Sequence, residues 1–206
     1  MNKDYIKGIE GAERRFITPN IEFRNDDDSN TIQGVAAVVE KSTDLGWFEE
    51  RISRGAFDNV LRDDVVALFN HDPNYPLARS NNGQGTLELF LTESGDLGYR
   101  YNTPDRTYAK DLQDAIRSGD VTKSSFAFKI KKEEWTYASD ENGLEKDVRN
   151  ITEVERLYDV SPVTYPAYQD TSVAARSLNN IKDNKNEKEY LNDQYEFDQL
   201  LMNLGL

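Results

Sequence analysis

The sequence contains no cysteine. Disulfides and thiolate metal sites are therefore impossible. A single histidine, His71, excludes sites built from clustered histidines. Positive charge is in deficit: 25 lysines and arginines stand against 38 aspartates and glutamates, a formal net charge of −13. So acidic a chain lacks the basic face that sequence-independent binding of DNA or RNA requires. No apolar run approaches the ~20 residues of a membrane span, and Met1-Asn2-Lys3-Asp4 begins nothing like a secretory signal. The expectation is a soluble intracellular protein with no cofactor and no nucleic-acid or membrane partner.

What is present suffices for one domain with an appendage, at 206 residues. The stretch from Val121 to Tyr168 organises the rest. In Ser124–Lys131, Phe126, Phe128 and Ile130 alternate with Ser125, Ala127, Lys129 and Lys131, the period of a half-buried strand. Ile151–Val163 alternates again, and Asp140-Glu141-Asn142-Gly143 offers the turn between them. A pairing centred near Asn142 sets Lys129 against Glu155, Lys131 against Glu153, Ile130 against Val154 and Phe126 against Tyr158. Opposite charges across a ladder favour that register over its neighbours. It also lays Ser125 beside Asp159, on the face away from the aromatic side.

Elsewhere the pattern is mostly that of short strands. Residues 1–13 are polar and expected to fray. Phe16–Arg24 reads as a strand broken at Pro19, and Thr31–Glu40 as a strand with a close approach or bulge at Gly34. Asn25–Asn30 is rich in aspartate, but Thr31 stands where a calcium loop needs glycine and no glutamate follows at its twelfth position. Trp47–Ile52 is expected to be extended. Ser53 can cap a brief helix through Phe57, Val60 and Leu61. Asp64–Phe69 is a nearly continuous apolar run, hence a buried strand, and it delivers Asn70-His71-Asp72-Pro73 at its end. Thr86–Leu91 and Gly98–Asn102 suggest a hairpin. Thr103–Ser118 is the strongest helix, with Pro104 at its start and Gly119 as its stop. Residues 177–189 lack a core pattern and read as a linker, and 190–206 as an amphipathic helix that docks on a partner or on the main domain.

Ser125, His71 and Asp159 are the parts of a nucleophile, a general base and a base-orienting carboxylate. Serine needs a neighbouring base, and histidine titrates where it can take and return the proton. Arg79 is a further candidate, as an oxyanion contact or as a surface ion-pair member.

Several segments in fixed order then identify a resemblance. LFNHDP at Leu68–Pro73, SSFAF at Ser124–Phe128, YDVSPVTYPAYQDT at Tyr158–Thr171 and ISRGAFDNVL at Ile52–Leu61 resemble the tailed-phage prohead (capsid maturation) serine proteases. The resemblance covers roughly Arg14 to Arg176 and implies a protease domain over 14–176. The implied fold is mainly β with a few helices (α+β), an assemblin-like β-barrel flanked by short helices. It implies a serine endopeptidase that cleaves capsid or scaffold proteins, and itself, within a prohead assembling in the host cytoplasm. A second copy of the chain is a further candidate partner. The family histidine falls on His71, and the serine ahead of Phe-x-Phe on Ser125 rather than Ser124. The acidic residue before Val-Ser-Pro-Val is Asp159 where the family usually has glutamate, which leaves Glu153 and Glu155 as alternatives for the third role. The competing reading is a protease fold kept as an inactive assembly factor.

Overall fold

The computed structural model describes residues 5–17, 22–24, 30–45, 48–139 and 145–165. Among them lie twelve strands and one α-helix. The strands are β1 (Ala12–Ile17), β2 (Glu22–Arg24), β3 (Thr31–Ala37), β4 (Thr43–Asp44), β5 (Phe48–Ile52) and β6 (Val65–Leu68). There follow β7 (Pro76–Asn81), β8 (Gln84–Gly85), β9 (Leu87–Leu91), β10 (Leu97–Asn102), the helix α1 (Thr107–Ser118), β11 (Lys123–Ser139) and β12 (Glu145–Val163). The eight-stranded sheet runs β1-β11-β12-β6-β7-β8, with β5 also on β12 and β4 on β5; the four-stranded sheet runs β2-β3-β10-β9. No described helix is long and apolar enough to cross a membrane.

The long β11–β12 pair is the spine. β12 is nineteen residues long, enough for two strands to pair in parallel along one edge: β5 against Asp147–Ile151 and β6 against Asp159–Val160. Phe126 and Phe128 stack at 4.7 Å, and Phe57 meets Phe126 edge-on at 5.9 Å. All three are buried. Burial stabilises by roughly 1.5–3 kcal/mol for each such ring, which makes this face of β11 the anchor of the core. Gly34 is the close-approach point expected from the sequence. A Cβ there would lie 2.7 Å from the Tyr99 ring. Its absence lets Tyr99, across the ladder on β10, reach over β3 and bond Ser124 Oγ at 2.7 Å.

Several expectations are corrected. The described strands form two sheets that no ladder closes into one barrel. The chain leaves the first sheet after β8, where the Thr86 N–H bonds back to the Arg79 carbonyl, and β9 pairs in the second. The segment after Ser53 is no helix. It is a run of tight turns (Ala56 N–H to Ser53, Asp58 to Gly55, Val60 to Phe57), and Gly55 at φ +88° cannot lie within an α-helix. α1 starts at Thr107 rather than Thr103 and ends at Gly119 as expected. Residues 5–13 are not frayed: Tyr5–Gly8 form a 3₁₀ turn, and Ile6 and Glu13 are buried.

The central register also differs near the site. At its far end the pairing is the expected one, as Glu134↔Asn150 and Trp135↔Arg149 show. Bulges at Thr152, Glu155 and Tyr158 on β12, against one at Lys131 on β11, then displace the near end by two residues. Ile130 still faces Val154, but Phe126 faces Val160 and Ser125 faces Ser161. The ion pairs survive, Lys129 with Glu155 at 3.1 Å and Lys131 with Glu153 at 2.7 Å, because long side chains span the displacement. The turn at Asp140–Gly143, most of the aspartate-rich loop and the whole of 177–206 lie outside the described residues.

Candidate active site

Three strands converge on the serine expected from the sequence. β11 places Ser125 and Ala127 on one face, and β12 places Asp159 and Ser161 opposite them, Asp159 across from Ala127. The two-residue displacement matters here. Had Asp159 stood directly across from Ser125, no ring would fit between them. On the diagonal their Cα atoms lie roughly 7–8 Å apart. Ala127 adds only a methyl to that face.

His71 fills the gap. It follows β6, which pairs with Asp159–Val160 itself. Asn70 and His71 both have left-handed backbones, at φ +53° and +56°. Such pairs of non-glycine residues cost on the order of 1–3 kcal/mol each and persist only where surroundings impose them. Here the Asn70 N–H bonds the Pro162 carbonyl at 3.0 Å, and the Thr164 N–H bonds Asn70 Oδ1 at 2.9 Å. The histidine loop is thus fastened to the end of β12.

The three side chains form one hydrogen-bonded line: His71 Nε2 lies 2.7 Å from Ser125 Oγ, and Nδ1 lies 2.7 Å from Asp159 Oδ1. Two further hydroxyls donate to the carboxylate, Ser161 to Oδ1 at 2.8 Å and Tyr5 to Oδ2 at 2.5 Å. Burial opposes ionisation of Asp159 most strongly. Attraction to His71 and the bonds from His71, Tyr5 and Ser161 together outweigh it, holding the carboxyl below its ordinary range. An ionised Asp159 only accepts, so Nδ1 carries a hydrogen and Nε2 can take one from serine. Burial and the adjacent carboxylate push the Tyr5 hydroxyl far above its usual value, so it remains a donor.

Glu153 and Glu155 are not brought to the site; both pair with lysines. Arg79 is exposed on β7 and pairs with Asp64, its Nε 2.6 Å from Oδ1. Ser124 is buried but points to Tyr99, away from the histidine. Sequence reasoning missed Ser161 and Tyr5. Period-two alternation places residue 161 on the face of residue 159, a signal that would have found the serine. Nothing local marks Tyr5.

It also missed a buried charge cluster beside the site. Glu13 and Arg15 of β1, Glu50 of β5 and Arg149 of β12 are each at least 95% buried. Arg15 grips Glu50 through two bonds, at 2.5 and 2.8 Å, and Glu13 at 2.5 Å. Arg149 bonds Glu13 at 2.9 Å, Glu50 at 3.0 Å and Glu133 at 2.7 Å. Burial favours the neutral form of Glu50, but Arg15 and then Arg149 overcome it and hold the carboxyl below its ordinary range.

The two buried carboxyls held low, Asp159 and Glu50, set the acid limit of the fold. In the unfolded chain they bind protons near pH 4, in the folded chain only lower, so stability rises with pH across that interval. Their contribution is complete above the unfolded values and is lost as pH falls through the folded ones. The melting temperature is therefore expected to be flat from about pH 7 to about pH 5 and to fall steeply below about pH 4. Thermal melts across this range check it, and Glu50→Gln should flatten the slope. An unchanged slope in that variant would remove Glu50 from the account.

A family model described as "Caudovirus prohead serine protease" matches residues 19–184. The prohead protease of Enterobacteria phage HK97 is 25% identical over 183 residues, which cover 86% of this chain and 74% of that protein. Among solved structures, the capsid assembly protease of bacteriophage T4 aligns with a TM-score of 0.39 and 12% identity, over 74% of this chain and 97% of that one.

Proposed function

The chain belongs to the caudovirus prohead serine protease family, and from that premise we propose that it is the serine endopeptidase of a viral prohead, cutting capsid or scaffold chains within the assembling shell. Ser125 is the nucleophile, His71 the general base and Asp159 the carboxylate that fixes the ring. The observation that carries this reading is the unbroken line Asp159–His71–Ser125, with 2.7 Å at each step. In the first half-reaction Ser125 Oγ attacks the scissile carbonyl carbon while Nε2 accepts the hydroxyl proton. The new imidazolium stands against ionised Asp159, and its proton then passes to the departing amine. Water, deprotonated by the same nitrogen, releases the acyl group.

Ser161 acts on Asp159, not on substrate. It donates to Oδ1 at 2.8 Å and so helps the buried carboxylate keep its charge and orientation.

Co-expression with the major capsid protein of the same virus tests the reading. Shortened capsid chains are expected with wild type and full-length chains with Ser125→Ala. Full-length chains in both cases would count for the rival, an inactive assembly factor with a protease fold. The same experiment addresses self-cleavage. Wild type is expected to cut itself within Ser177–Lys188, a polar stretch suited to threading through an active site, and intact-mass spectrometry should find Ser125→Ala uncut. A wild-type chain of full mass after capsid cleavage would end that part of the proposal.

A further inference from the structure

The catalytic line is sealed. Ser125 is 1% exposed, His71 4% and Asp159 0%. A scissile carbonyl carbon must come within ~3–3.5 Å of Oγ, and the space it needs is taken by the chain's own N-terminal segment. β1 lies along β11 with Phe16 opposite Ser125 and Arg15 opposite Phe126. The Arg15 carbonyl oxygen accepts a hydrogen bond from Ser125 Oγ at 2.8 Å, and Tyr5 caps Asp159 from the same segment. We propose that Tyr5–Ile17 is a built-in inhibitor: β1 occupies the edge of β11 on which an extended substrate peptide pairs, and the enzyme works only when β1 is displaced. The inference rests on the peptidase reading above.

Four features fit this role. First, β1 is the outermost of the described strands of its sheet, and the other edge of β11 is taken by β12. Removing β1 exposes the N–H and C=O groups of Ser124–Lys129, the kind of edge to which peptides add as a strand. Second, the serine has one hydroxyl proton and two acceptors in reach, His71 Nε2 and the Arg15 carbonyl. While it goes to the carbonyl it is not available to the base. Third, the charge cluster tolerates separation. β1 takes Glu13 and Arg15 away as a pair and leaves Arg149 with Glu50 and Glu133, so neither side strands a lone buried cation. Fourth, Tyr5 is also a wall of a cleft of about 590 Å³ lined by Val66, Leu68, Pro73 and Tyr158. Withdrawing Tyr5 joins that cleft to the triad and gives a substrate side chain somewhere to go. The residues matched by the family model begin at 19, beyond the occluding segment.

The absence of native cysteine permits a direct test. Ala12 and Lys129 are cross-strand partners, and the variant Ala12→Cys/Lys129→Cys can lock β1 onto β11 by oxidation. The readout is the rate of Ser125 labelling by an alkyl fluorophosphonate: the Oγ–P bond forms, fluoride leaves, and His71 takes the hydroxyl proton. Labelling of the oxidised protein is expected to be at least tenfold slower than after reduction. Ile6→Ala, which loosens the segment at a buried residue that makes none of the triad's hydrogen bonds, is expected to label faster than wild type. Equal rates in oxidised and reduced protein, with Ile6→Ala no faster than wild type, would overturn the occlusion while leaving the peptidase reading intact. No labelling in any form, reduced protein and Ile6→Ala included, would overturn both.

Discussion

Ser125→Ala and His71→Ala are each expected to abolish cleavage, with losses on the order of 10⁶-fold in turnover, and the double variant is expected to be scarcely worse than either. The reason is geometric. The two groups share one proton across 2.7 Å, so removing either ends the transfer. Asp159→Asn should be leakier, with a loss of about 10⁴-fold, because the nucleophile remains while the ring is held in the wrong tautomer. The asparagine amide would also meet the Tyr5 and Ser161 hydroxyls, which donate to the carboxylate. Ser124→Ala is the control. It breaks the buried bond to Tyr99 and costs about 1–3 kcal/mol of stability, yet leaves most of the activity. Capsid cleavage timed by gel separates these outcomes. Wild-type activity in Ser125→Ala would remove the nucleophile, and full activity in Asp159→Asn would move the third role elsewhere.

Arg149→Ala is expected to damage the fold more than any other single truncation. Arg149 is buried and bonds three carboxylates, Glu13, Glu50 and Glu133. Without it, Glu13 and Glu50 keep only the bonds to Arg15 from this cluster. Removing one partner from a buried ionic network costs about 3–5 kcal/mol, because the remaining charges stay out of water uncompensated. For a chain of this size that lowers the melting temperature by roughly 6–20 °C. Arg149→Lys should recover little, since an ammonium cannot reproduce the guanidinium's several directed bonds. A calorimetric scan decides the matter, and a midpoint within about 2 °C of wild type would show that the cluster relaxes or admits water.

Alternation in Ser124–Lys131 identified β11 and its aromatic face, because a strand with one packed side must repeat every second residue. Charge pairing found the Lys129–Glu155 and Lys131–Glu153 contacts, which depend on side-chain reach and survive a slipped register. The apolar spacing after Ser53 fits both a helix and successive turns, and the Gly55 backbone distinguishes them. The closed barrel was an expectation from resemblance, and no local pattern records whether the last ladder forms.

The chemistry available to the chain is legible in its residues: no thiols, one histidine, a serine on a strand face and an aspartate on the strand that pairs with it. These are properties of residue identity and of the period-two backbone, and they need no neighbours to be read. That these groups meet follows from the packing of the sheets. The β12 bulges open a ring's width between Ser125 and Asp159, and the bonds that bring His71 and the N-terminal segment onto them join residues 54 to 154 positions apart. Contacts at that separation are set by how whole sheets pack and where their charges can be neutralised, which no local stretch of sequence encodes.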